Sequence, residues 1–407
     1  MTWAPITVDA THFYLQVYWW IIVAVLGGLF LFMTFVQGGQ TLFHVAKNET
    51  EERGILNSLG RKWELTFTTL VMFGGALYAA FPLFYSISFG GAYWVWMLIL
   101  FAFVLQAVSY EYMNRDGNII GKGAYKAFLY FNGVIGIVLI GAAVGTFFTG
   151  SNFSYDAATK TLHWGQIFQN GQWIPNPNGI NLRGLEAAID FRHGAWFNLA
   201  MGILVFAVAR ILGALWLIND LDEKDFAEVV ARLRAVVKRC FIVLLVALVV
   251  VLYGLWALKG YGYNIHDPKG IVSLVPHKYF QNLLAFGAVQ LIVFLVGVVL
   301  FVLGVFQSGF GNSRKGIWSA GLGTVLIGII VFTLAGLNGT AYYPSYADLQ
   351  SSLTIQNSSG SKYTLMVMAW VSVAVPFVLG YIAYVWYQMK KAGPITKEEI
   401  LTDDHAY

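Results

Sequence analysis

Charge is scarce in this chain of 407 residues: Asp, Glu, Lys and Arg make up 11% of it, against 58% hydrophobic residues. A soluble globular domain carries about a quarter charged residues. That deficit, with a mean hydropathy of +0.64, excludes a soluble enzyme and predicts an integral membrane protein. Cysteine is scarcer still. The single Cys240 excludes an intrachain disulfide and a cysteine metal cluster, and at the start of an apolar run it reads as a small hydrophobe. The formal charge of +4 comes from basic loops, so it gives no reason to expect a nucleic-acid partner. No Walker loop, HExxH motif or GxSxG elbow occurs in a usable context.

Histidine is both rare and badly placed for a haem. The seven are His12, His44, His163, His193, His266, His277 and His405. Axial ligation inside a helical bundle takes His, or His with Met, on facing helices. None of the seven falls in the middle of an apolar run, and Met97, Met201, Met366 and Met368 have no histidine at matching depth. The chain is therefore expected to hold no cofactor or metal of its own.

What the chain has is apolar length. A crossing of the bilayer takes about 20 apolar residues, and nine stretches qualify: 13–36, 65–88, 91–110, 127–149, 195–218, 237–258, 280–306, 318–340 and 364–389. The expected fold is all-α, one transmembrane domain over 1–407. The first run exceeds the core of a signal peptide and reads as a retained helix. Basic residues then orient the chain. Lys47, Arg53, Arg61 and Lys62 lie in the first connection, and Arg115, Lys122 and Lys126 in the third. Arg210, Lys224, Arg232, Arg234, Lys238 and Arg239 flank the fifth, Arg314 and Lys315 lie in the seventh, and Lys390, Lys391 and Lys397 in the tail. Fewer basic residues, Lys269 among them, lie in the alternate connections. The positive-inside rule puts the N-terminus outside and the C-terminus in the cytoplasm, which requires an odd number of crossings. Two connections are more than links. Residues 150–194, with Trp164, Trp173 and the turn run Pro175–Gly179, predict a folded outer cap. Residues 219–239 predict a cytoplasmic helix extension, acidic at its start and basic at its end as the helix dipole favours.

Glu64 stands out among the acids. It follows Trp63 and opens an uncharged run to Phe89. An acid at the mouth of a membrane helix marks a proton or ion route by default. The alternative is an interfacial acid paired with Arg61 or Lys62. Glu111 ends the third run, and Arg115 one turn away makes an ion pair the simpler reading. Gln37 and Gln40 flank Gly38–Gly39 at the end of the first run. They read as snorkelling near the headgroups, with hydrogen bonding across helices or the lining of a hydrated path as the alternatives. Tyr18, Trp19 and Trp20, and Tyr93, Trp94 and Trp96, read as interfacial aromatic belts.

Several runs resemble subunit II of the cytochrome bd quinol oxidases. Trp63-Glu64 followed by Gly74-Gly-Ala-Leu-Tyr-Ala-Ala-Phe-Pro82 is similar to that family's Trp-acid pair and GGALFAAWP-like run. Ser352-Leu-Thr-Ile355, Asn357-Ser-Ser, Thr364-Leu, Trp370 and the tail Pro394-Ile-Thr-Lys-Glu-Glu399 add support. The resemblance spans nearly the whole chain and implies a haem-free subunit in a bacterial cytoplasmic membrane. Its partner would be a subunit I holding haem b and haem d and oxidising quinol while reducing oxygen to water. A small accessory membrane subunit, lipids and quinone are further implied partners. The chain alone would not be catalytic. The family acid after the tryptophan is linked to proton delivery, and that residue here is Glu64. Gln37 and Gln40 replace a family motif of two aspartates around a glycine. Leu105 and Met113 stand near Glu111 where the family often has arginines, so the chain resembles a divergent member. The competing class is a proton-coupled transporter, which takes a polar midplane site and internal repeats. Neither is evident here.

Overall fold

The computed structural model describes residues 9–115, 118–267, 270–285, 288–391 and 393–402; Lys269 and His405 lie outside them. Asp9 caps the first helix by accepting from Thr11 N at 2.9 Å. α1 (Ala10–Met33) runs through Thr34 into α2 (Phe35–Gln40). α3 (Glu49–Gly60) is capped by Asn48 and carries Glu49, Glu51 and Glu52 in its first turn, where the helix dipole favours acids.

The run expected as one helix over 65–88 is two: α4 (Trp63–Ala80) and α5 (Pro82–Gly91). Pro82 lacks an N–H and bars the helical conformation of the residue before it, and Phe81 leaves the helix at φ −130° and ψ 63°. α6 (Tyr93–Tyr112) and α7 (Lys122–Phe131) follow, and a π turn at 132–136 links α7 to α8 (Ile137–Thr149). Residues 150–194 fold into two hairpins, β1 (Phe153–Asp156) with β2 (Thr161–Trp164) and β3 (Gln166–Gln169) with β4 (Gln172–Pro175), then the short α9 (Glu186–Ile189).

α10 (Ala195–Asp220) and α11 (Ala227–Ala257) form a long antiparallel hairpin whose connector is only 221–226. Most of the expected 219–239 extension is therefore the first turns of α11. Residues Ile211 to Ile218, expected within the membrane run, are 0–2% exposed and pack with Ile55, Leu59, Val229 and Leu233. The pair β5 (Gly260–Gly262) and β6 (Ser273–Val275) precedes α12 (Lys278–Leu284). α13 (Val289–Val305), α14 (Gly316–Gly336), α15 (Ile355–Ser358), α16 (Lys362–Ser372), α17 (Val375–Lys391) and α18 (Lys397–Thr402) complete the chain. The tail straps the α10–α11 connector: Ile395 N donates to Asp220 O and Asp222 N to Ile395 O, each at 2.9 Å.

Among the described residues, eight helices are long and apolar enough to cross a membrane; the broken α4–α5 pair is not among them. The last one, α16–α17, lies mostly off the body, with Trp370 76% exposed. Its start is pinned by Trp19, whose Nε1 donates to Leu365 O at 3.0 Å. Trp20 donates to Phe332 O at 3.0 Å and packs between Phe81 and Tyr342. Both tryptophans are buried, so they are core residues and not the interfacial belt expected of them. Indoles placed where their N–H meets a backbone carbonyl fill a core without a polar penalty.

Candidate functional site

The end of the bundle that carries most of the basic residues gathers the polar side chains. Two glycines decide how. A Cβ on Gly38 would lie 1.9 Å from Ala209 O, and one on Gly213 would lie 2.3 Å from Gly39 N. Only glycine lets α2 and α10 cross this closely. With that face of α2 against α10, Gln37 and Gln40 meet α6 instead: both donate through Nε2 to Gln106 Oε1 at 2.8 Å. Gln40 also donates to the Tyr110 hydroxyl at 3.3 Å. Asn132, at the π turn between α7 and α8, donates to Gln40 Oε1 at 3.3 Å and to Gln106 Oε1. All four amides are 0% exposed, which overturns snorkelling and favours the inter-helix alternative.

This cluster is under-connected. Gln106 Oε1 receives three donors, yet Gln37 Oε1, Gln106 Nε2 and Asn132 Oδ1 are buried without a partner. Such groups cost roughly 1–3 kcal/mol each unless water reaches them. An amide can turn over with almost no change of shape, so several hydrogen-bond patterns share this one packing.

Trp63 packs beside the cluster, stacked on Tyr110 with ring centroids 5.8 Å apart and planes 9° apart. Thr66 anchors the same turn by donating to Met33 O at 3.0 Å. Glu64 and Glu111 are each the next residue after a member of that stack, and both side chains are exposed. Neither makes an ion pair among the described residues. The expected pairing of Glu64 with Arg61 or Lys62 does not form. Arg61 Nε donates to Asn57 Oδ1 at 3.3 Å. Lys62 turns inward, its Nζ 5.9 Å from the Trp216 ring centre and 5.4 Å from that of Trp386. Burial pulls the Lys62 ammonium below its ordinary range, with the Asp220 carboxylate opposing. The expected Glu111–Arg115 ion pair is also missing: Arg115 Nε donates to the Glu111 backbone carbonyl at 3.4 Å.

A cleft of about 650 Å³ runs from Thr34 and Phe67, beside the Trp63 turn, to the opposite end of the bundle, lined by apolar groups such as Phe30, Phe67, Val71, Phe84, Trp96 and Phe147. Glu186, His193 and Tyr346 supply its polar rim. Trp96, expected in an interfacial belt, stacks on Phe89 at 3.9 Å and donates to Ser88 Oγ at 3.2 Å. Glu186 accepts from Trp164 Nε1 at 2.8 Å, Gly184 N at 2.7 Å and Leu182 N at 3.2 Å.

Sequence reasoning missed Gln106, Asn132 and Tyr110. Lone amides inside otherwise apolar runs were the available signal, because such groups pair across helices. The described histidines lie in strands, loops or the first or last turns of helices. They offer no opposed axial pair within the bundle, so the residues present do not fit a haem. Among the described residues no group of three or more His, Cys, Asp or Glu could hold a metal ion.

A model of the family described as Cytochrome bd terminal oxidase subunit II matches residues 15–389. The chain belongs to this family. The cytochrome bd-I ubiquinol oxidase subunit 2 of Escherichia coli K12 is 26% identical over 96% of this chain and 98% of its own length. A probable cytochrome oxidase subunit 2 of Haemophilus influenzae is 24% identical over 97% and 98%. A chain in the structure of the bd oxidase from Geobacillus thermodenitrificans shares the fold, with a TM-score of 0.51 and 14% identity over 94% of this chain and 97% of that one. As a cytochrome bd subunit II, the protein is a multi-pass membrane component of a respiratory oxidoreductase.

Proposed function

We propose that this subunit is the haem-free member of a bd-type oxidase, and that Glu64 passes protons toward oxygen-reducing chemistry in the partner subunit. In this reading a subunit I holds haem b and haem d, oxidises quinol and reduces oxygen to water. The subunit described here supplies scaffold, lipid or quinone contacts along its apolar cleft, and part of the proton route. The chain crosses the membrane nine times, the α4–α5 pair making the second crossing. Its N-terminus is outside and its C-terminus in the cytoplasm of a bacterial inner membrane. The basic end is then cytoplasmic, the hairpins form an outer cap, and protons enter from the cytoplasm.

The observation that carries this reading is Glu64 itself. It is exposed on the separate subunit and makes no ion pair among the described residues, although Arg61 and Lys62 lie only three and two residues before it in the chain. A charge left unpaired on a membrane helix is costly unless it meets a partner protein or water. The Trp63–Tyr110 stack fixes the turn that presents it, and Glu111 follows the other member of the stack. Behind them the amides Gln37, Gln40, Gln106 and Asn132 form a buried, incompletely bonded patch that water can complete.

Replacing Glu64 tests this. Glu64→Gln keeps shape and removes the titrating proton, so oxygen consumption and the proton uptake linked to haem d oxidation should fall on the order of 10²-fold, the scale of losing a proton-transfer group. Assembly and haem content should stay intact. Normal turnover in that variant refutes the proton route, and a stable purified complex without haem absorption refutes the oxidase reading as a whole.

A further inference from the structure

Arg210 is a cation inside an apolar helix, about 15 Å short of the end of α10 at Asp220. Its guanidinium Nη2 is 3.5 Å from His44 Nε2, and His44 Nδ1 donates to Thr41 O at 3.0 Å. Arg239, exposed on the facing helix α11, lies close enough to act electrostatically on His44. Burial first, then Arg210 and Arg239, push the His44 imidazole below its ordinary range. No carboxylate pairs with Arg210 or Arg239 among the described residues. Some other arginines at this end are neutralised: Arg232 pairs with Glu51 at 2.7 Å and Glu228 at 3.2 Å, and Arg53 with Glu49 at 3.5 Å, while Arg115 and Arg314 are held by backbone carbonyls.

The surface changes character at this level. Beyond Arg239, α11 exposes Ile242 at 65%, Val246 at 63% and Val249 at 67%. On the other side of Arg210, residues Ile211 to Ile218 are buried in the helical body. Exposed aliphatic surface belongs against acyl chains, so the uncompensated cations stand at headgroup depth. Anionic headgroups favour basic pockets between helices at that depth, and guanidinium groups match phosphate oxygens two at a time.

We propose that Arg210 and Arg239 bind the phosphate of one anionic phospholipid, with His44 Nε2 accepting from Arg210 and holding its guanidinium in place, and that the acyl chains lie along the exposed face of α11 beyond Ile242. The inference does not depend on the proton route through Glu64.

The test uses the complete complex, reconstituted into phosphatidylcholine nanodiscs doped with phosphatidylglycerol, extracted into mild detergent and weighed by native mass spectrometry. The unaltered complex should retain phosphatidylglycerol. A complex carrying both Arg210→Gln and Arg239→Gln should retain at least fivefold less, and Arg210→Lys alone should keep most of it. Equal retention with and without the arginines overturns the proposal, as does equal retention of phosphatidylcholine. Displacement of the lipid by millimolar inorganic phosphate assigns the site to a free anion and also overturns it. If the double variant does not assemble, a photoreactive phosphatidylglycerol on the unaltered complex serves instead. Label on the 242–249 stretch of α11 supports the site, and label only elsewhere refutes it.

Discussion

At the cap end, the buried Glu186 carboxylate accepts from one indole and two backbone N–H groups. At the basic end, four buried amides share too few bonds, and three of their polar atoms have no partner. Each end buries polar chemistry, but one saturates a carboxyl group while the other leaves amides wanting. A saturated carboxylate has one low-energy arrangement and acts as a lock between α9 and the first hairpin. Neutral amides with open valences exchange partners at little cost and admit water. The first arrangement suits structure, and the second suits a path beside a titrating acid.

Breaking the crossing that creates the amide cluster should have the largest effect. Gly38→Ala puts a methyl into the Ala209 carbonyl, where backbone meets backbone and neither side can yield. The cost should exceed the roughly 1–3 kcal/mol of ordinary overpacking, read as loss of assembled complex in the membrane. Normal yield would mean that α2 does not pack on α10 this closely.

The cap end comes next. Glu186→Ala strands three donors at roughly 1–3 kcal/mol each, so the melting temperature of the solubilised complex should fall sharply. Burial pushes the Glu186 carboxyl above its ordinary 4.5, against the pull of its hydrogen bonds. A pKa raised by folding means the folded state holds the proton more tightly than the unfolded one. This group's contribution is complete below about pH 4.5 and is lost as pH rises through the raised value. Glu186→Gln should flatten that part of the curve of melting temperature against pH. An unchanged slope would show that the lock does not titrate.

The smallest effect sharpens the contrast. Gln106→Leu removes the acceptor shared by Gln37, Gln40 and Asn132, but water can replace part of what is lost. We expect about 1–2 kcal/mol of destabilisation, together with slower oxygen consumption. A stability loss as large as that of Glu186→Ala would make the amide cluster a lock as well.

Much of the fold was legible in the sequence because hydrocarbon imposes long apolar runs that any reader can count. Misreadings fell where neighbours decide. Pro82 split one run in two because α4 and α5 need not be collinear to pack. Trp19 and Trp20 looked like belt residues because an indole N–H satisfied by Leu365 O or Phe332 O has the same sequence as one facing headgroups. Gln37 and Gln40 looked exposed because their partners Gln106 and Asn132 are far away in sequence.

The sequence by itself determined the class of the protein, the ladder of apolar helices and the asymmetry of its basic loops. These follow from composition and spacing, which act on each segment separately. Only the tertiary structure decided which side Lys62 and Glu64 face, that four distant amides share one buried patch, and that Arg210 meets His44 beside Arg239. Those outcomes depend on how closely backbones approach, and the glycine crossing of α2 and α10 sets that distance by what it leaves out.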